Sequence, residues 1–230
     1  MSDERTLGQI HYEIIRGMID EGTCPTNVQL SLKLGISEIK IEELLQALSD
    51  IHGVVLHSHN HTPWIIHPFS TTPTLNWIDN GQRGWWAPCV WCALGVATLV
   101  GGNLRIHSRI GGESESVVIP VHNGLPTLVE DIWVHFAEPP ARAWDNVHAH
   151  CSMVLPFRSP GAIGEWSKRH ALPHGQGVPL AQVALLAQHW YGSHANPEWR
   201  KWTITEAQEI FHRSGLTAEF WDLGVLSGKF

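Results

Sequence analysis

The sequence predicts an α+β fold, in which a winged-helix-like unit of three N-terminal helices precedes an antiparallel β-sheet packed with further helices. Two patterns carry this prediction. Apolar residues recur at helical spacing over the first 50 residues, and they alternate with polar residues between residues 104 and 121, as in strands. With 230 residues, 43% of them hydrophobic, the chain is long enough to bury a sizeable core.

Three short helices are expected to open the chain. The first spans residues 7–18, where leucine, isoleucine and methionine side chains fall on one helical face. Pro25 introduces the second helix, which ends at Gly35. Ser37 is expected to cap the third helix, and Gly53 to end it.

A hairpin of residues 54–56 and 64–66 is expected to complete this unit, which we assign to residues 1–70. Winged helices commonly bind DNA, but this unit has nine acidic and four basic side chains. The whole chain has a net charge of -7, so its field repels polyanions. We therefore expect no nucleic-acid partner and interpret the unit as a structural cap or a homodimer element.

Residues 71–84 are interpreted as a connector, because they are rich in turn-forming residues. A thiol-site α+β domain of residues 85–230 is expected to follow. It opens with a helix over residues 87–99, and a hairpin of residues 104–110 and 117–121 comes next.

The remaining elements are expected to be two strands and then three helices. They span residues 132–136, 147–157, 165–170, 180–190 and 205–215. A capping box that runs from Thr205 to Gln208 is expected to open the last helix.

The chain shows no sign of secretion or of insertion into a membrane. Its first eight residues are polar, and no charged segment precedes an apolar stretch. The uncharged run of residues 84–102 approaches the length of a membrane span but contains Pro88 and two cysteines, so it is interpreted as a buried core helix. Four cysteines are too few for a disulfide scaffold, and we expect a cytoplasmic protein with reduced thiols.

The cysteines are Cys24, Cys89, Cys92 and Cys151. Cys89 and Cys92 form a C-x-x-C motif, and at positions i and i+3 of a helix their sulfur atoms face the same side. They could share a soft metal ion or form a redox pair, or they could be small apolar residues that fill a buried helix. His148 or His150 could complete a zinc site with Cys151, but on a strand both histidines would face away from Cys151.

Aromatic residues are unusually frequent near the C-x-x-C motif. The chain has twelve tryptophans, and Trp85, Trp86 and Trp91 could wall an apolar pocket for an organic group. The sixteen histidines are scattered from His11 to His212, and most are interpreted as surface or packing residues.

Two segments around the cysteines are distinctive. One is Trp91-Cys92-Ala93-Leu94, and the other runs from His150-Cys151-Ser152 through Pro156-Phe157-Arg158-Ser159 to Glu165-Trp166. They resemble the segments that hold the first and second catalytic cysteines of the alkylmercury lyase family. The resemblance covers most of the chain, from about Leu7 to the helix before Tyr191.

This resemblance implies cleavage of a carbon–mercury bond by protonolysis, with release of a hydrocarbon. Cys92 and Cys151 would be the catalytic thiolates that bind the metal and make its carbon more basic. From its position one turn before Cys92, we expect Cys89 to be a third catalytic and metal-binding thiol. No cofactor is required. The substrate would be a small organometallic or organic molecule, the mercuric ion would be a product, and small thiols would be partners.

The family has an aspartate three residues after its first catalytic cysteine, where this sequence has Gly95, which we expect to line the substrate pocket together with the three tryptophans. Glycine can neither carry a proton nor bind a metal. Either Cys89 or a carboxylate could supply the proton, and the candidate carboxylates are Glu130, Asp131, Glu138 and Asp145. Alternatively, the protein binds mercury, copper or zinc without catalysis, or it has been redirected to another lyase or biosynthetic reaction.

Overall fold

The computed structural model describes residues 3–127, 132–144 and 146–224. Helices and antiparallel strands alternate through these residues, which confirms the α+β prediction. No helix within the described ranges combines the length and the apolar character needed to cross a membrane.

Three helices open the chain, as predicted. They are α1 (Asp3–Glu21), α2 (Asn27–Leu34) and α3 (Glu38–Asp50). The side chain of Thr26 caps α2 by accepting a hydrogen bond from the backbone N–H of Gln29, and Gly35 ends that helix in a left-handed conformation. Ser37 caps α3 in the same way as Thr26 caps α2. The apolar faces of the three helices meet in the main core.

Eight strands form one antiparallel sheet in the order β1-β2-β3-β5-β4-β6-β7-β8. They are β1 (Val55–Leu56), β2 (Pro63–Ile66), β3 (Phe69–Ser70), β4 (Asn76–Asp79), β5 (Gly84–Ala87), β6 (Asn103–Arg109), β7 (Ser116–His122) and β8 (Leu125–Pro126). The predicted N-terminal hairpin is β1 and β2, and β3 joins that hairpin to the strands that follow it.

The segment 71–84, predicted to be a connector, contains β4, which pairs with β5 and β6 within the sheet. The turn that follows is the one the sequence suggests, because the side chains of Asp79 and Asn80 accept hydrogen bonds from backbone N–H groups within it. The strands on either side of the turn have only four residues each. Such short strands give too little alternation to stand out from a polar connector.

Helix α4 (Val90–Val100) crosses the inner face of this sheet and has Cys89 as its N-cap residue. Its first eight residues are all buried. The predicted start at residue 87 is wrong, because Ala87 is the last residue of β5.

A second sheet of three strands has the order β10-β9-β11. The strands are β9 (Trp133–Phe136), β10 (Leu155–Phe157) and β11 (Gln176–Pro179), and two short helices, α5 (Pro140–Ala143) and α6 (Val147–Ser152), lie between β9 and β10. The predicted strand over residues 147–157 is therefore wrong in its first half. Asn146 caps α6 by accepting a hydrogen bond from the N–H of Ala149.

The helical conformation of α6 also changes the directions of its side chains. His150 and Cys151 are buried, whereas His148 is exposed and packs against Trp64. The expectation that the two histidines face one side, away from Cys151, is wrong, because it assumed the two-residue period of a strand.

Three longer helices complete the described chain. They are α7 (Pro160–His170), α8 (Leu180–Tyr191) and α9 (Ile204–Arg213). The capping box of α9 pairs Thr203 with Glu206, and not Thr205 with Gln208 as predicted. The side chain of Gln208 instead hydrogen-bonds to Trp221 and Leu223.

Candidate functional site

Three elements bring two cysteines and one histidine together. Cys92 lies in the first turn of α4, Cys151 lies in α6, and His67 lies in the turn between β2 and β3. One potential ligand atom from each residue lies within 4.8 Å of the other two. The Sγ atom of Cys92 is 3.6 Å from Nδ1 of His67. His67 was not among the residues that the sequence suggested for the site.

Cys89 also contacts the two cysteines of this group. Its sulfur accepts a hydrogen bond of 3.3 Å from the backbone N–H of Cys92, and side-chain hydrogen bonds connect it to both Cys92 and Cys151. The sequence predicted that both cysteines of the C-x-x-C motif lie within one helix. Cys89 instead precedes α4 as its N-cap residue, and only Cys92 lies within the helix. We call Cys89, Cys92 and Cys151 the thiol cluster.

The structure describes all four cysteines, and each is a free thiol. Cys24 lies apart from the thiol cluster and donates a hydrogen bond to the carbonyl of Pro25. Burial raises the pKa of Cys24 to about 12. Cys24 therefore contributes neither a metal ligand nor a thiolate to the site.

Within the thiol cluster, the surroundings favour the ionised form of Cys92 and lower its pKa. Burial opposes ionisation there, but hydrogen bonds from Cys151, Cys89 and His67 outweigh it and bring the pKa of Cys92 well below its ordinary value. Hydrogen bonds to Cys89 and Cys92 raise the pKa of Cys151, and burial raises the pKa of Cys89. Of the three thiols, Cys92 is therefore the one that ionises most readily.

Tyr191, the last residue of α8, contacts the same sulfur. Its hydroxyl oxygen is 3.3 Å from Sγ of Cys92. Burial and the charge on Cys92 raise the pKa of Tyr191, so the phenol keeps its proton and donates it in this hydrogen bond. The sequence did not point to Tyr191 as a site residue.

Gly95 explains how the tyrosine reaches the sulfur. A Cβ atom at position 95 would overlap the ring of Tyr191, so only glycine lets this ring pack against α4. The family resemblance leads us to expect an aspartate at position 95. The ring of Tyr191 fills the space that the side chain of this aspartate would need. Gly95 supports the site through this contact and does not itself line the neighbouring cavity.

A cavity of about 80 Å³ adjoins the site, and we call it the aromatic chamber. Cys151, His67 and Tyr191 lie in its wall, with Cys92 directly behind His67 and Tyr191. Five tryptophans also line it. They are Trp91, Trp144, Trp190, Trp199 and Trp202.

Of the three tryptophans predicted to form a pocket, only Trp91 lines the aromatic chamber. The indole N–H of Trp85 donates a 2.6 Å hydrogen bond to the carbonyl of Met18, which ties the sheet to α1. The ring of Trp86 packs against Trp77. Neighbouring residues of a strand point to opposite faces, so Trp85 and Trp86 could not share one pocket.

Five histidines line the same chamber, each with a buried ring nitrogen that has no hydrogen-bond partner among the described residues. They are His11, His52, His67, His150 and His194. Burial lowers the pKa of His150 to about 4 and that of His194 to about 3. Their imidazoles are therefore neutral at pH 7. The five belong to separate segments of the chain, so no local sequence signal could have grouped them.

Of the four predicted carboxylate donors, the structure describes one, Glu138. Glu130, Asp131 and Asp145 lie outside the described residues. Glu138 is described and does not line the chamber, and no other described acidic side chain does so. The protic groups within the described wall are therefore those of cysteine, histidine, tyrosine, tryptophan, lysine and arginine.

Comparisons with known proteins agree with this geometry. The family model for alkylmercury lyase matches residues 69–192, which is more than half of the chain and includes the thiol cluster, Gly95 and Tyr191. This chain belongs to the alkylmercury lyase family. A search of curated proteins found no match.

Among solved structures, the crystal structure of the mercury-bound form of MerB2 is similar, with a TM-score of 0.60 and 20% sequence identity. The match covers 86% of this chain and 97% of that chain. At this identity the likeness shows a shared fold.

We expect Gly95→Ala to destabilise the protein. The added methyl group must displace the buried ring of Tyr191, and overpacking of this kind costs about 1–3 kcal/mol. Thermal and urea denaturation measure the effect. Gly164→Ala in α7 is the matched control, because its Cβ would meet only ordinary contacts and should stabilise the helix slightly. Equal effects of the two substitutions would contradict the close contact with Tyr191.

We also expect one thiolate per chain to persist below the ordinary thiol pKa, because the pKa of Cys92 is lowered. Ultraviolet thiolate absorbance followed as the pH falls should persist well below the pH at which an ordinary thiolate becomes protonated. His67→Ala should move this transition to higher pH by removing one stabilising hydrogen bond, and Cys24→Ser should leave it unchanged. Absorbance that appears only on raising the pH through the ordinary thiol range would disprove a resting thiolate.

Proposed function

We propose that this protein cleaves the carbon–mercury bond of organomercurials by protonolysis. The observation that carries the proposal is the pair Cys92 and Cys151, whose buried sulfur atoms lie together beside an apolar chamber, with the pKa of Cys92 lowered by its neighbours. Membership of the alkylmercury lyase family supports the same chemistry. Thiolates are the side chains that soft metals such as mercury prefer.

Binding begins at Cys151, because its sulfur lines the aromatic chamber while Cys92 lies behind the wall. The thiolate of Cys92 is hydrogen-bonded to the thiol of Cys151 and takes its proton. The sulfur of Cys151 then bonds to the mercury of the incoming organomercurial cation. The product of this step is an organomercury thiolate on Cys151 and a neutral thiol on Cys92.

Cleavage returns the same proton. The electron pair of the carbon–mercury bond accepts the proton from Cys92, and the hydrocarbon is released. The thiolate of Cys92 that remains then forms the second sulfur–mercury bond. One S–H bond and one C–Hg bond break, and one C–H bond and one S–Hg bond form. The pair of cysteines therefore supplies base, acid and both metal ligands without a resident cofactor.

Tyr191 is placed to carry the proton between sulfur and carbon. Its hydroxyl touches Cys92 and also lines the aromatic chamber, so it spans the gap between the buried sulfur and the bound substrate. Cys89 lies behind the chamber wall and hydrogen-bonds to both other thiols. We assign Cys89 the role of holding the two sulfur atoms and not that of a direct proton donor.

The chamber limits the substrate to a compact apolar group on mercury. It encloses about 80 Å³ and has tryptophan walls, which favour an organic group over water. The mercuric ion left on two thiolates is the second product, and small-molecule thiols in solution would remove it by exchange.

We place this activity in a reducing cytoplasm, which keeps the thiol cluster free of disulfides. The three N-terminal helices and their hairpin would be a winged-helix-like cap or homodimer element with no nucleic-acid partner. Their acidic composition supports this assignment, since the field around the unit repels phosphates.

We expect the wild-type protein to release hydrocarbon from a simple organomercurial in the presence of excess small thiol. Cys92→Ser and Cys151→Ser should each abolish turnover, because each removes a metal ligand and a proton carrier. Cys89→Ser should retain part of it. Gas chromatography of the hydrocarbon and mercury retained per chain are the two measurements.

Cys24→Ser is the matched control, because that thiol lies outside the cluster, and it should behave as the wild type. A wild-type protein that retains mercury stoichiometrically but releases no hydrocarbon would show a non-catalytic binder. A protein that does neither would point to a redirected family member.

For Tyr191→Phe we expect turnover to fall by about 100-fold or more, because positioned proton transfer contributes at least that factor. Phenylalanine keeps the ring against Gly95, so mercury retention and thermal stability should change little. Turnover equal to that of the wild type would exclude the hydroxyl from the proton path.

A further inference from the structure

The site contains one more potential metal ligand than a mercuric ion requires. Two thiolates suffice for a mercuric ion, yet a ring nitrogen of His67 lies within 4.8 Å of a ligand atom on both Cys92 and Cys151. One imidazole and two thiolates form a donor set that suits zinc and other borderline divalent ions. Zinc sites with this Cys₂His set and an open fourth position are of the catalytic type.

The distances fit a tetrahedral ion. With a zinc–sulfur bond of about 2.3 Å and a zinc–nitrogen bond of about 2.0–2.1 Å, tetrahedral angles place sulfur and nitrogen about 3.6 Å apart. Sγ of Cys92 and Nδ1 of His67 are separated by 3.6 Å. Cys151 lies within reach of the same point.

Each donor is held by backbone structure before any ion arrives. His67 and Pro68 form the two-residue turn between β2 and β3, whose pairing brings Ile66 opposite Phe69. Cys92 lies in the first turn of a buried helix. The N–H of Val90 donates a 3.5 Å hydrogen bond to the carbonyl of Val154, which joins the start of α4 to the end of the Cys151 segment.

The fourth position would face the aromatic chamber, since His67 and Cys151 lie in its wall. Independent evidence for a polar ligand comes from His150 and His194, which are at least nine-tenths buried, line the same chamber and have unpartnered ring nitrogens among the described residues. A metal-bound water or a substrate heteroatom in the chamber would give these nitrogens a partner.

We propose that His67, Cys92 and Cys151 bind a zinc-class divalent ion, with a fourth position that opens into the aromatic chamber. This site shares its two sulfurs with the proposed lyase but does not depend on lyase activity. Zinc and an organomercurial compete for the same thiols, so the bound ion would leave when mercury arrives.

Cobalt(II) is the probe, because its visible spectrum reports geometry and its sulfur-to-cobalt charge transfer reports thiolate ligands. Reduced, metal-free protein titrated with cobalt should bind one ion per chain with tetrahedral bands, and zinc should displace it. His67→Ala should weaken cobalt binding by at least about 100-fold, because even loss of a residue that only supports a ligand costs 10–100-fold.

Mercury retention by the same variant separates this proposal from the lyase proposal. His67→Ala leaves both thiols in place, so it should still retain one mercuric ion per chain, and this retention also shows that the site remains folded. His67→Gln provides a second variant that keeps a polar side chain. His52, which lines the same chamber but is not among the three grouped donors, provides the matched control, and His52→Ala should bind cobalt as the wild type does.

Three results would overturn the proposal. One is an octahedral spectrum without charge-transfer bands in the wild type. Another is unchanged cobalt affinity in both His67 variants. The third is loss of cobalt binding in Cys89→Ser but not in His67→Ala, which would show a site of three sulfurs. None of these results bears on hydrocarbon release, so the lyase proposal would stand or fall separately.

Discussion

Close packing between α4 and α8 is the constraint on which the site depends. Gly95 leaves room for the ring of Tyr191 against the helix backbone, and a side chain at that position would collide with the ring. The contact brings the phenol to Cys92 and places Trp190, the preceding residue, in the wall of the aromatic chamber. The absence of a Cβ atom at Gly95 therefore allows both the contact of the phenol with Cys92 and the position of Trp190 in the chamber wall.

A charge buried behind an apolar wall is costly unless polar groups surround it. Around Cys92 those groups are the thiols of Cys89 and Cys151, the imidazole of His67 and the hydroxyl of Tyr191. The indole walls keep water from competing with these hydrogen bonds, which strengthens each of them. The same shielding keeps the imidazoles of His150 and His194 neutral, so Cys92 is the group at which negative charge develops to meet an incoming soft cation.

The elements that the sequence predicted well are those with long, regular patterns or clear caps, such as α1, α3, α8 and the β6–β7 hairpin. Cys92 and Cys151 could be found because each lies in a short segment that resembles a known family. His67 and Tyr191 could not, since they reach Cys92 across 25 and 99 residues of chain. The alternation around His150 was misleading, because the local cap at Asn146 selects a helix where the period-two pattern suggested a strand.

The walls of the chamber are drawn from both ends of the chain. His11, His52 and His67 precede the segment that matches the family model, and His194, Trp199 and Trp202 follow it. The segment that carries the cysteines is thus not a self-sufficient module. A graft of residues 69–192 into another scaffold would transfer the sulfurs without their enclosure, leaving a wet, exposed thiolate open to oxidation.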